Sequence, residues 1–599
     1  MKKTLLSFAL FLAITFFNRE SFAQVIPASR TSDWSVSGHQ GSIPDPLNVI
    51  DVTSFGATGN GVTDDYASIH SAIQSLSGNQ GVVYFPPGNY LIGSAIYLPD
   101  SVILRGAGSD QSHLIFQMNG AVANCISASG SVLSLYTSVI SGADKGSMMI
   151  RVSDPSAFQA GTFAELVEDN GTWDTQPVSW ADESVGQILH VTNVTGDSVY
   201  FDRALRFDYT SALNVRIRAF NPATEVGIEC LHLYRADSVH TGVCMNIYFA
   251  YAANCWIRGV ESSKSIGSHI EADQSTDISI RGCYIHDAYE YDGASTHGYG
   301  ITLFKHTGQC LVENNIIRHL RHCFSLQCGA NGNVIGYNYT REPHRSEVPD
   351  TAGACISMHG HYPFLNLFEG NIVRNLQIDQ TWGPSGPFNT FFRNRIDLFG
   401  LIMSSGTVQS DSQNFVGNEI PNTNLFMGNY SLAGTGHLQS ANNVRGTITP
   451  AGTLPLNDTS YYLTSAASYW TGFSGWPSIG DPNAMGSGTI PAKARWDSGI
   501  NFTVCQDPPP TGIAVVEKDP ASVQVFPNPV DRILTITKNS EMEIQSIRII
   551  NAVGQEIKSS SNHKKSETIT VDVSQLNPGV YFVEIKSSNK LIVKRFIKE

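Results

Sequence analysis

Charge is scarce in this chain, and basic charge is scarcer. Asp, Glu, Lys and Arg make up 15% of 599 residues, with 38 basic against 52 acidic. A net charge of −14 offers a polyanion no attractive field, so nucleic acid is excluded as a partner. Long apolar runs are nearly missing as well. The one present, Leu5 to Phe17, is too short to span a bilayer, so no membrane span is expected. It follows Met1-Lys2-Lys3 and precedes the small residues of Ser21-Phe22-Ala23, the pattern of a signal peptide over 1–23, and the mature protein is expected to leave the cytoplasm. Among ten cysteines there is no Cys-x-x-Cys pair and no compact Cys/His set, which removes zinc from consideration. Low charge with 53 glycines argues against long amphipathic helices and for a turn-rich β protein.

What is present is a repeat. An apolar residue, two spacers and Asn recur at Val312/Asn315, Ile335/Asn338, Phe368/Asn371, Phe391/Asn394 and Phe415/Asn418. Weaker copies begin at Ile228, Ile257 and Ile280, and the leading positions advance by 29, 23, 32, 23, 33, 23 and 24 residues. A unit of that size cannot bury its own apolar face and must stack on its neighbours. Strand-sized pieces without a leucine consensus specify an all-β solenoid, a parallel β-helix with coils about 4.8 Å apart. The aligned asparagines are expected to form a structural ladder of amides. Alignment also sets Cys323 beside Cys355, either as a disulfide or, the preferred reading, as stacked buried thiols.

Two segments carry a family resemblance. FGATGNGVTDD at 55–65, a short helix from Tyr66 to Ile73, and YFPPGNY at 84–90 resemble the opening of the pectate lyase superfamily, with its rhamnogalacturonase-like and epimerase-like members. The resemblance implies a right-handed, pectin lyase-like β-helix over 50–506, after an N-terminal extension at 24–49, acting on polysaccharide. Asp64 and Asp65 are expected to cap the helix and not to catalyse. Residues 129–219 break the period with alternating strands and read as a β-rich insertion, where Trp173 and Trp180 are equally readable as sugar platforms or core.

After a Pro508-Pro509-Pro510 linker at 507–522, the elements VFPNP, INAVGQEI, LNPGVYFVEI and KRFIKE follow in order over 523–599. They resemble the sorting domain of the type IX secretion system of the Bacteroidetes, a small β-sandwich. That implies the secretion machinery as partner and a secreted or cell-surface protein. The module carries 11 Lys/Arg against 8 Asp/Glu from Ala521 onward and the signal peptide three basic against one acidic, which leaves −19 on the remainder. Recognition of an acidic glycan therefore needs a local basic cluster or a bridging cation.

Candidate sites lie where the repeat lengthens, at HDAYEYDGASTH (286–297) and REPHRSEVPD (341–350), because stacked insertions form a groove that suits a linear glycan. With Ile270, Ile301, Phe324 and Ile356 in register, Asp273, Phe304, Gln327 and His359 make an outward column beside Glu271, Thr302, Ser325 and Ser357. A lyase on a uronosyl unit must neutralise the carboxylate, remove the C5 proton and protonate the leaving oxygen. Arg345 or Arg393 suits the first task, His359 or His344 the second, and Tyr299 or His361 the third. Gln327, Asp273, Trp382, Tyr299 and His297 are candidates to bind substrate, and Asp287, Glu290 and Asp292 to hold Ca²⁺, although their spacing matches no dedicated calcium loop.

A hydrolase needs a carboxylate pair flanking the bond, for which Glu271, Asp273, Asp287, Asp292 and Glu369 are available. The polygalacturonase-type set is nevertheless absent, since His359-Gly360-His361 only echoes it. A monomeric polysaccharide lyase is the leading expectation, with a β-helix hydrolase and a non-catalytic glycan-binding adhesin as alternatives.

Overall fold

The computed structural model describes residues 25–505 and 523–598, apart from short breaks at 77, 239–241, 454–455, 471–472, 474, 539–543, 552–555, 564–567 and 588–590. The expected signal peptide and proline linker lie outside the described residues. The chain divides into two compact units, one reaching essentially to residue 506 and one holding the C-terminal module.

The first unit is a right-handed parallel β-helix. One twelve-stranded parallel sheet carries the predicted ladder without a slip: Ile228, Ile257, Ile280, Val312, Ile335, Phe368, Phe391 and Phe415 are partners in successive coils. Val83 and Leu104 extend it upstream, Leu104 pairing directly with Ile228 across the excursion that contains the insertion. These residues point inward and are fully buried; Phe368, Phe391 and Phe415 stack face to face at 4.9 and 5.3 Å. Register is fixed because a one-residue slip would turn the whole apolar column outward.

From the strand Gly227–Glu229 onward, the chain turns after each strand of this sheet through a residue in the left-handed conformation, for example Asn314 (φ 57°), Tyr337 (φ 53°) and Gly370 (φ 67°). The asparagine that follows binds the next coil. Asn315, Asn338, Asn371, Asn394, Asn418 and Asn442 pass Nδ2 to Oδ1 down the column at 2.9–3.0 Å, and each Oδ1 also accepts the backbone N–H of the asparagine above. A second ladder, Asn333, Asn366, Asn389 and Gln413, runs at another corner.

Helix Tyr66–Ser75 closes the N-terminal end, burying Ile69, Ala72 and Ile73 at helical spacing. Its capping differs from expectation. Asp64 accepts the N–H groups of Tyr66 and Gly93, whereas Asp65, at the cap position, turns its carboxylate back onto the N–H groups of Thr58 and Gly59.

The insertion is an antiparallel sheet in which Phe163–Val167 lies between Gly186–Thr195 and Arg216–Asn221. It is fixed to the coils by a buried polar knot: His306 Nδ1 donates to Glu165 Oε1 at 3.0 Å, and Arg218 and Gln274 meet the same carboxylate. Coil strands end with Thr447–Thr449, and the described parts of 450–467 and 473–505 return as a strap over the turns of the first sheet, through helix Pro491–Ser498, in place of further coils.

In the second unit, Val523–Phe526, Ile533–Lys538 and Thr568–Asp572 form one antiparallel sheet. Glu556–His563, Ile544–Asn551, Gly579–Ser587 and Leu591–Lys598 form another. Leu534, Ile536, Ile547, Ile549, Val583, Ile585 and Phe596 fill the core between them, as alternating strands require.

Candidate active site

The coil face built from Ser268–Asp273, Tyr299–Phe304, His322–Leu326 and Ile356–Met358 forms the floor of a cleft of about 420 Å³. Alternation sends Ile270, Ile301, Phe324 and Ile356 inward, so their neighbours face out in the expected columns. Glu271, Tyr299, Phe304, Gln327 and His359 line the cleft, with Arg321 from the turn before one strand. Gly293 to Thr296 overhang one side. The two lengthened loops brace each other, since Gly293 N–H donates to Glu347 at 2.9 Å and Ser346 N–H to the Tyr291 carbonyl at 3.2 Å. Trp180 from the insertion and Trp382 from a Gly/Pro loop meet edge to face at 5.8 Å, and Trp180 also lies 6.2 Å from Phe304. Trp180 is 43% exposed, an aromatic wall open to a sugar face.

A chain of polar contacts crosses the floor. Asp379 Oδ2 lies 3.1 Å from His359 Nδ1, and His359 Nε2 lies 3.2 Å from the Tyr299 hydroxyl. Arg321 Nη1 donates to that hydroxyl at 3.4 Å. Burial pushes the Asp379 carboxyl up, but bonds from His359 and Thr381 outweigh it and hold the group down to about 2, ionised. A carboxylate can only accept, so Nδ1 carries a proton and donates to Asp379; in the neutral imidazole Nε2 then presents its lone pair, to which the Tyr299 O–H can donate. Burial raises the Tyr299 phenol to about 12 despite the nearby Arg321, so it is a neutral acid at physiological pH. His322, packed against both rings, is pushed well below its ordinary value by burial and by His359, and is uncharged.

Glu271 is the one carboxylate lining the cleft. Burial, and then Asp273, raise it to about 8, against one hydrogen bond from Ser268. Asp273 sits behind the cleft, bonded to the Tyr248 hydroxyl at 3.0 Å and raised by burial to about 6.

Several candidates fall elsewhere. Arg345 spends its guanidinium on the carbonyls of Glu347, Val348 and Pro349 in its own turn. Arg393 stands at a corner of the first sheet, donating to the Leu456 and Asp458 carbonyls. His344 stacks on His319 at 4.5 Å, not on His359. His361 is fully buried, lowered by burial to about 4, with both ring nitrogens unpartnered in the structure. Trp173 packs on Tyr362 at 4.6 Å and does not line the cleft.

The three-carboxylate calcium cluster does not assemble. Asp287 (φ 59°) pairs with His286 at 2.9 Å, while Glu290 and Asp292 gather around His297 Nδ1 at 3.3 and 3.0 Å. Two carboxylates and an imidazole are a poor match to Ca²⁺, which takes six to eight oxygens. Cys323 and Cys355 are both free, buried thiols.

Comparison with known proteins follows the two units. Residues 49–145 match the family model described as rhamnogalacturonase A/epimerase, pectate lyase-like, and residues 524–599 match the secretion system C-terminal sorting domain. The chain joins a pectate lyase-like β-helix to a type IX sorting domain.

Sixty-nine residues are 41% identical to the mannuronan C5-epimerases AlgE6 and AlgE4 of Azotobacter vinelandii, covering 10% of this chain and only 8% and 12% of those proteins. The tailspike gp61 of Pseudomonas phage phi297 shares 13% identity over 92% of this chain and 96% of its own, with a TM-score of 0.49. The A-module of the same AlgE4 epimerase shares 15% over 62% and 77%, with a TM-score of 0.32.

The sorting domain directs the protein through the type IX route to the cell surface or outside. A chain ending before Val523 is expected to accumulate inside the cell with its β-helix folded, because the module has its own core. Fractionation with circular dichroism checks this; the truncated protein appearing normally in the medium would refute it.

Proposed function

We propose that the protein is a secreted polysaccharide lyase that cleaves a uronate-containing glycan by β-elimination. The observation that carries this is the Asp379–His359–Tyr299–Arg321 chain on the floor of an open, aromatic-walled cleft. His359 Nε2, its tautomer set by Asp379, takes the C5 proton. Arg321, Gln327 and the neutral Glu271 carboxyl hydrogen-bond the substrate carboxylate and stabilise the charge that proton removal puts there. The Tyr299 phenol protonates the departing O4. Trp180 and Trp382 hold neighbouring sugar rings by their apolar faces.

A two-carboxylate hydrolase is disfavoured because Glu271 has no partner carboxylate among the cleft-lining residues. Assays on pectic, algal and glycosaminoglycan polymers test the proposal: unsaturated ends absorbing in the ultraviolet support it, and new reducing ends without that absorption indicate hydrolysis. Deuterium entering C5 from heavy water without chain cleavage would reassign the same proton abstraction to epimerisation, the reaction named for the Azotobacter relatives. Binding with none of these indicates an adhesin.

Glu271 gives the site a pH signature. Its folded value of about 8 lies above the ordinary 4.5. The stability it contributes is full below about 4.5 and is lost as pH rises through about 8. Ionised Glu271 also repels a substrate carboxylate, so KM is expected to climb above pH 8. Glu271→Gln is expected to flatten both trends, in KM against pH and in thermal melts against pH. An unchanged alkaline rise in KM would remove Glu271 from substrate binding.

A further inference from the structure

From Gly227–Glu229 onward the corner that follows each strand of the first sheet is left-handed, and in the coils starting at Ile257 and Ile280 glycine supplies it, Gly259 (φ 62°) and Gly282 (φ 65°). One coil earlier the same position is Cys230, also left-handed at φ 55°, since Glu229, Arg258 and Arg281 are register partners. Side chains other than glycine pay a steric cost there. A cysteine at this corner therefore calls for a reason.

The strap supplies one. Val504 N–H donates to the Gly282 carbonyl at 2.8 Å, and Thr503 Oγ1 meets Ser109 Oγ at 2.8 Å. The missing Cβ of Gly282 would come 2.9 Å from Val504 Cβ, and that of Gly259 only 2.7 Å from Cys505 Cα. The strap thus runs down the corner column, and Cys505 rests over Gly259, one coil step from Cys230. Cys505 Sγ lies on this corner column, 3.7 Å from the Gly259 carbonyl oxygen, and Cys230 stands at the next corner of the same column. The two thiols lie close enough to perturb each other's titration, Cys505 downward and Cys230 upward. Cys505 is the one partly exposed cysteine among the ten.

We propose that Cys230 and Cys505 are joined by a disulfide in the exported protein, locking the strap to the coils just ahead of the sorting module. The bond forms by exchange with a disulfide-bearing oxidoreductase met during export. The Cys505 thiolate attacks a sulfur of the donor disulfide, and Cys230, after losing its proton, displaces the donor from the mixed disulfide. The donor leaves as a dithiol carrying the two electrons, and the two thiol protons are balanced by those it takes up. Chemistry favours Cys505 as the attacking group: Cys230 beside it lowers its thiol against the opposing effect of burial, while Cys505 and burial raise Cys230. Cys323 and Cys355 are also side by side, but both are sealed in the coil interior, out of a donor's reach.

The test uses full-length protein collected from the medium, with free thiols alkylated in denaturant and peptides mapped without reduction. The expected result is a linked peptide pair containing Cys230 and Cys505, with the other eight cysteines alkylated. In limited proteolysis, Cys505→Ser and Cys230→Ser are each expected to speed cleavage within 491–505 about tenfold or more, with no further gain in the double variant. Turnover should be unchanged, since neither residue lines the cleft. Alkylation of both cysteines in the exported protein, or a cross-link joining any other pair, overturns the proposal.

Discussion

Replacing His359 with alanine is expected to lower kcat about 10²- to 10⁴-fold, the usual loss when a general base is removed, while the thermal midpoint and glycan binding stay close to those of the parent. The imidazole stands on the solvent side of its strand, between Asp379 and Tyr299, with its side chain 13% exposed. Its removal empties cleft and not core. Asp379→Asn is the sharper variant because it changes no volume. The ionised carboxylate accepts the Nδ1 proton and leaves Nε2 free to take one. An amide rotated to present Nδ2 would instead hold Nδ1 as acceptor and put the proton on Nε2, facing the substrate. Turnover should fall by at least a hundredfold with KM little altered. Tyr299→Phe removes the acid and should likewise act on kcat. Full turnover in a well-folded His359→Ala protein would discard the proposed chemistry and move attention to Glu271.

The architecture was legible because a β-helix writes its register into the sequence. Each coil must place an apolar residue over the last, so the spacing from Ile228 to Phe415 alone identified the partners found in the sheet. The second amide ladder escaped notice because Asn333, Asn366 and Asn389 sit just before their strands, where an asparagine resembles any turn residue; tracking that offset from the apolar position would have shown it.

The site was legible mainly along the outward columns. Gln327 and His359 were found there, and Tyr299 and Trp382 were chosen for their chemistry and a Gly/Pro loop, yet Asp379, next after His359 in the same column, was not. In that coil a single strand, Ile372–Ile378, serves two faces without a loop between them, while the coil before it carries the 341–350 loop between Tyr339, the partner of Ile372, and Met358, the partner of Ile378, which hides the alignment. Arg321 was missed because a turn arginine carries no mark of direction. Arg345 and Arg393 were chosen by closeness in sequence or motif, but each satisfies carbonyls of its own neighbourhood.

The ladder itself should cost the most stability when broken. Asn371 is fully buried, and its Oδ1 accepts both the backbone N–H and the Nδ2 of Asn338, at 3.0 Å each. Its own Nδ2 donates to the Ile335 carbonyl at 2.8 Å and to Asn394 Oδ1 at 2.9 Å. No water reaches these groups once the side chain is changed, and a buried donor left without a partner costs about 1–3 kcal/mol. With one backbone N–H orphaned and three further bonds lost, Asn371→Leu is expected to destabilise the β-helix by about 2–4 kcal/mol although it nearly preserves volume. Asn371→Asp should be at least as damaging near neutral pH. It keeps the acceptor but turns the donor end into a charged oxygen facing the Ile335 carbonyl and Asn394 Oδ1, with no cation at hand in the ladder. Urea unfolding of the isolated β-helix, followed by tryptophan fluorescence, reads both. If the leucine variant unfolds at the parent's urea concentration, the amide column is ornamental, and the stacked Phe368, Phe391 and Phe415 beside it hold the coils together alone.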